Sequence, residues 1–176
     1  MQVAQRTQRT SRREKPAPED RPHALWPLLA MMGILSIGGF IGGISFVADP
    51  TGDGIGAHLS WLEQTPVSDF LLPGLFLLVV YGLIPLLLMC GLVWRFSPGF
   101  LRRVNGRIGY QWSWAGTMAV GSVLMSWIVY EFTVLPERMV LQPVLLGVGA
   151  AMVAICAMPS IRRYYAIPSG HGGDRR

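Results

Sequence analysis

The sequence predicts an all-α protein: a four-transmembrane-helix bundle, both termini cytoplasmic, with a short outer amphipathic helix between spans 1 and 2. Two observations carry this expectation. Four apolar stretches, 25–47, 70–94, 110–130 and 140–158, contain no Asp, Glu, Lys, Arg or His. A helix needs roughly 20 apolar residues to cross a hydrocarbon core of about 30 Å, so each stretch is long enough to span. The charges then alternate in sign from one connection to the next. All but one of the 15 Lys and Arg residues precede the first stretch, lie between the second and third, or follow the fourth. The other two connections hold Arg138 against Asp49, Asp53, Glu63, Asp69, Glu131 and Glu137. Basic segments stay on the cytoplasmic side, so the acidic connections face out. Losing any one span would place a basic and an acidic block on the same side.

Residues 1–22 read as a disordered basic cytoplasmic tail, because polar residues with Pro16, Pro18 and Pro22 cannot bury enough apolar surface to offset the entropy of ordering them. The membrane domain covers 23–165, and 166–176 reads as a Gly-rich flexible tail. The first apolar run exceeds the 7–15 residues usual for a signal-peptide core and lacks a small-x-small site near its end, so it is expected to remain as an anchor. It carries two overlapping GxxxG pairs, Gly38 with Gly42 and Gly39 with Gly43, and the fourth span repeats the pattern with Gly147 and Ala151. Small residues let helices approach closely where lipid supplies no hydrophobic drive for association. Close packing of spans one and four is therefore expected, with homodimerisation through span one as the alternative.

In the first outer loop, 49–54 is a run of turn formers, and Ile55, Leu59 and Leu62 fall on one stripe of a helix over 55–64. Thr65-Pro66 reads as the start of the second span, with Asp69 adding negative charge to its first turn. Within that span Gly82 and Pro85 predict a kink, since proline removes a backbone hydrogen bond. Tyr110, Trp112 and Trp114 form an aromatic belt at the inner face. Arg95, Arg102, Arg103, Arg107, Arg162 and Arg163 are placed to contact lipid headgroups there. The net charge of +5 is accounted for by this topology, and nucleic acid is not an expected partner.

Three segments, Ala48-Asp49-Pro50-Thr51-Gly52, Leu62-Glu63-Gln64-Thr65-Pro66-Val67-Ser68-Asp69-Phe70-Leu71-Leu72-Pro73-Gly74-Leu75 and Pro159-Ser160-Ile161-Arg162-Arg163-Tyr164-Tyr165, resemble a group of small bacterial four-span integral membrane proteins without an assigned activity. The resemblance covers about 25–165 and implies a four-helix protein of the bacterial plasma membrane. It implies no reaction.

Catalytic chemistry has little to stand on in this sequence. Cys90 and Cys156 form no CxxC pair, and His23, His58 and His171 all lie outside the apolar stretches, where they cannot ligate haem between helices. No ionisable residue sits in mid-span to couple protons. Asp49, Thr51, Asp53 and Gly54 match the first ligand positions of a calcium loop, but Ser60 stands where a bidentate Glu belongs. No cofactor, metal or enzymatic activity is expected. The expectation is a non-enzymatic structural or accessory component of the bacterial plasma membrane, with membrane lipids as contacts and a membrane-protein partner or homodimer as a candidate. An uncoupled transporter or channel-like pathway for a small neutral or lipidic molecule is the alternative.

Overall fold

The computed structural model describes residues 21–63, 65–95, 99–134 and 140–167. Among them the secondary structure is helical, apart from an isolated bridge between Tyr110 and Ala166. Helix α1 runs Leu25–Ala48, and the second long helix is continuous over Leu71–Trp94. That second helix is built from α2 (Leu71–Phe76), a π-helical segment (Leu77–Leu83) and α3 (Ile84–Trp94). A short α4 (Arg102–Ile108) precedes α5 (Trp112–Val134), α6 (Leu141–Ala157) and α7 (Pro159–Tyr165). Three helices, Leu25–Ala48, Leu71–Trp94 and Trp112–Thr133, are long and apolar enough to cross a membrane, and the pair α6 and α7, bent by 65°, makes up to four if it counts as one span. The chain is thus an α-helical membrane protein.

Contacts run α1 to the second helix, the second helix to α5, and α5 to α6, while α1 touches α6 sparsely. The expected close packing of spans one and four is therefore corrected. Gly39 and Gly43 instead face the second helix, where a Cβ on Gly39 would collide with the Gly82 amide and the Tyr81 carbonyl. A Cβ on Gly43 would come within 2.6 Å of the Leu78 nitrogen. On α6 the small face is one register away from the expected one. A Cβ on Gly149 would stand 3.0 Å from the Gly121 carbonyl of α5, whereas one on Gly147 would meet nothing within 4 Å. Ala151 is half-buried.

At the Gly82/Pro85 feature the helix carries a π-helical segment, Leu77–Leu83, which ends two residues before Pro85. Pro85 has no amide to offer the preceding turn, and the widened turns accommodate that loss inside an unbroken helix. Glycine at 82 also lets Phe40 of α1 pack close, 3.3 Å from where its Cβ would be.

Two boundaries differ from the sequence reading. The outer amphipathic helix is replaced by two separate 3-10 turns, Asp53–Ile55 and Leu59–Leu62, because Gly56 takes the left-handed conformation (φ 71°) and stops the first. The second helix starts at Leu71, where Asp69 Oδ1 accepts the Leu71 amide at 3.0 Å, and the Thr65 hydroxyl donates instead to the Leu62 carbonyl at 2.8 Å.

The half of the molecule at the α7 end is filled by Leu28, Met32, Leu92, Met152, Ile161 and Tyr165, all almost fully buried. Polar side chains clasp its end. Tyr165 Oη donates to the Leu92 carbonyl at 2.9 Å, Gln111 Nε2 to the Gly91 carbonyl at 3.0 Å, and the Asn105 side chain accepts the Trp112 amide at 2.8 Å.

Candidate functional site

Because α1 and α6 scarcely meet, the opposite half of the bundle encloses a cavity of about 950 Å³. Ligand pockets run from about 300 to 1,000 Å³, so this one is at the upper end. Leu35 and Gly38 of α1, Phe76 and Tyr81 of the second helix, Leu124 and Ile128 of α5, and Leu145 and Val148 of α6 form its walls. Ile34 and Leu141 also line it and are 72% and 60% exposed, so the space opens sideways between α1 and α6, toward the lipid that would surround the helices.

The loop between α1 and the second helix closes the end of this space. The turn at 49–54 is tied by the Asp49 carboxylate, whose Oδ1 accepts the Thr51 hydroxyl at 2.6 Å and the Thr51 amide at 3.1 Å, and whose Oδ2 accepts the Gly54 amide at 2.9 Å. The Thr51 hydroxyl first, then the two amides, hold the Asp49 carboxyl below its ordinary pKa of 3.8. Asp49 and Thr51, two of the residues that suggested a calcium loop, thus spend their side-chain oxygens on the turn itself, and no metal-binding cluster occurs among the described residues. Gly52, in the left-handed conformation (φ 81°), lies against Phe70, which stacks on Phe46 with ring centroids 4.6 Å apart. Ala57, Leu62 and Phe70 form a small separate core over the cavity.

Glu131, Gln142 and Tyr81 line the cavity, with Gln142 beside Glu131 and Tyr81 within its electrostatic reach. Trp127 Nε1 donates to Glu131 Oε1 at 2.6 Å, and no ion pair to Glu131 is present among the described residues. Gln142 of α6 is 3% exposed and lies beside Glu131, yet neither its Nε2 nor its Oε1 makes a hydrogen bond of acceptable geometry. Tyr81, 4% exposed, has an equally unpartnered hydroxyl within electrostatic reach of Glu131. The Phe76 ring packs against both Trp127 and Tyr81, its centroid 4.7 Å from the first and 5.5 Å from the second. An unpaired buried polar group costs about 1–3 kcal/mol, so three unpartnered polar atoms on the walls of an apolar space mark it as a place for a hydrogen-bonding ligand.

Residues singled out from sequence are distributed unevenly around this site. Gly38, Gly39 and Gly42 line the cavity, Gly39 and Gly43 also packing the helix behind it, while Gly82 and Pro85 belong to the segment that presents Tyr81. The arginines sit at the other end. Arg95 lies over the Tyr164 ring at 4.4 Å and donates to the Tyr164 carbonyl at 3.0 Å, and Arg162 donates to Tyr110 Oη at 3.0 Å. Arg107 and Arg163 are exposed, and the side chains of Arg102 and Arg103 lie outside the described residues, as do the tails 1–20 and 168–176. Tyr81 and Gln142 went unnoticed because the search of the spans was for ionisable groups. An amide inside an apolar stretch was the available signal.

Compared with known proteins, the chain matches no family model, no curated protein and no solved structure.

Proposed function

We propose that this protein is a non-enzymatic accessory component of the bacterial plasma membrane, a four-span bundle with both termini cytoplasmic, that holds a single-chain amphiphile in the cavity between α1 and α6. Membership of the group of small four-span bacterial proteins that the loop motifs resemble is part of the same reading. The observation that carries it is the pairing of an apolar space of about 950 Å³ with unpartnered polar atoms of Tyr81 and Gln142 on its walls. An amphiphile satisfies both parts, its tail against the helices and its head on the orphaned groups. The close packing of Leu28, Met32, Leu92 and Tyr165 in the other half favours binding over passage across the bundle. Charge alternation supports the orientation, which places the cavity toward the outer leaflet.

The test is photolabelling of the full chain in phosphatidylcholine nanodiscs with a diazirine-bearing dodecanol, mapped by peptide mass spectrometry. Labels on 72–81 and 127–148 that are competed by excess dodecanol are the expected outcome. Labels spread over the outward faces and insensitive to competitor would overturn the reading.

A further inference from the structure

We infer that the head group held at Glu131, Gln142 and Tyr81 is an ammonium carrying N–H donors. The inference rests on the cavity being an amphiphile site and names the ligand's chemistry. Glu131 contributes an acidic side chain with one oxygen bonded to Trp127 Nε1 and no ion pair among the described residues. A carboxylate has capacity for further donors on both oxygens, and an arriving cation supplies the missing countercharge. The Oε1 of Gln142 and the hydroxyl oxygen of Tyr81 are further unused acceptors lining the same cavity, and an –NH3⁺ group has three donors to offer. The rings of Phe76, Tyr81 and Trp127 line the same cavity, and aromatic faces attract a cation. Among the described residues no Lys or Arg lines the cavity, so an anionic head would meet Glu131 without compensation from them. A hydroxyl head would satisfy the hydrogen bonds and leave the charge unmatched. The ammonium answers every group present.

The ammonium can belong to a phosphate-free amine or to an aminophospholipid of the leaflet. Both present the same head to Glu131, and the experiment separates them. Equilibrium binding of radiolabelled dodecylamine to the full chain in maltoside micelles is measured, with dodecanol, dodecanoate, dodecyltrimethylammonium and lysophosphatidylethanolamine as competitors. Dodecylamine is expected to compete about 10- to 100-fold better than dodecanol, the range for hydrogen bonds to a charged partner, and dodecanoate not at all. Dodecyltrimethylammonium, which keeps the cation and loses the donors, is expected between amine and alcohol. Lysophosphatidylethanolamine competing like the amine assigns an aminophospholipid as the source, and its failure assigns a phosphate-free amine.

Glu131→Gln, nearly isosteric, is expected to remove the preference for amine over alcohol while alcohol still binds, a change that loss of packing alone would not produce. Dodecanol or dodecanoate competing as well as dodecylamine, or an amine preference that survives Glu131→Gln, would overturn the head-group assignment and leave the cavity reading standing. Gly38→Leu serves as the control for the cavity itself, because a Cβ there meets nothing within 4 Å and the longer side chain enters the cavity that Gly38 lines. If no probe binds saturably, or binding is unchanged in Gly38→Leu, the cavity reading fails and the head-group assignment falls with it.

Discussion

The Ser36 hydroxyl of α1 donates to the Gly82 carbonyl of the second helix at 2.7 Å, three residues before Pro85. Proline has no amide and its ring crowds the preceding turn, so carbonyls there are left short of donors in a medium without water to replace them. Ser36 supplies one from the neighbouring helix, and the glycines at 39 and 43 bring the two backbones near enough for it to reach. Gly82, Ser36 and Gly39 therefore act together to present Tyr81 to the cavity.

Substitutions along this seam should divide by register. Ser36→Ala is expected to destabilise the protein by about 0.5–1.5 kcal/mol, the worth of an ordinary hydrogen bond. Gly39→Ala, which drives a methyl into the Tyr81–Gly82 backbone, is expected to cost about 1–3 kcal/mol. Gly38→Ala, one residue away, is expected to be near neutral. Denaturation by sodium dodecyl sulfate in mixed micelles, followed by circular dichroism, orders the three.

Gln142 should trade stability against binding. Its amide is buried with both polar atoms unpartnered, so Gln142→Leu is expected to stabilise the ligand-free protein by about 1–3 kcal/mol in the same denaturation experiment. The substitution is also expected to weaken dodecylamine binding. A destabilised variant would show that the amide is satisfied in the membrane by a partner other than the ligand.

Acid should loosen the outer turn. The Asp49 carboxyl is held below 3.8 by the Thr51 hydroxyl and the Gly54 and Thr51 amides. A depressed folded-state pKa contributes stability that is fully present above the unfolded value, about 3.9, and is lost as pH falls through the lower folded value. The turn is thus expected to be unaffected by pH at 5 and above and to open below about 4. Amide exchange at Gly54 followed across that range reads the opening, and Asp49→Asn, which forfeits the charge, is expected to raise exchange already at neutral pH.

Orientation can be read directly in cells. In a Cys90→Ala, Cys156→Ala background, Thr51→Cys is expected to react with a membrane-impermeant maleimide in intact cells once the outer envelope is permeable. Gly106→Cys, on the exposed inner α4, is expected to react only after lysis. The reversed pattern would invert the topology and move the cavity to the inner leaflet.

Much of the helical architecture was legible in the sequence because its causes are local. Apolar length marks 25–47 and 70–94, and the helices Leu25–Ala48 and Leu71–Trp94 follow them within a residue or so. The partner of each helix was not legible, because a GxxxG pair specifies a close approach and not the helix that makes it. Thus Gly39 and Gly43 meet Tyr81, Gly82 and Leu78, while Gly147 meets nothing. The 55–64 stripe was a true apolar pattern, yet Gly56 broke it into two turns through a backbone conformation that periodicity does not register. The cavity was hidden for a related reason. Tyr81, Glu131 and Gln142 are far apart in the chain, and the space between α1 and α6 becomes visible only once the contacts are known.

Native mass spectrometry of the full chain, released from its own membrane into the mildest detergent that dissolves it, asks most directly whether the cavity holds an amphiphile. Wild-type protein is expected to carry one small amine-bearing amphiphile that Gly38→Leu lacks. Wild-type protein that emerges bare, or both forms carrying the same bulk phospholipids in the same amounts, would contradict the cavity as a binding site.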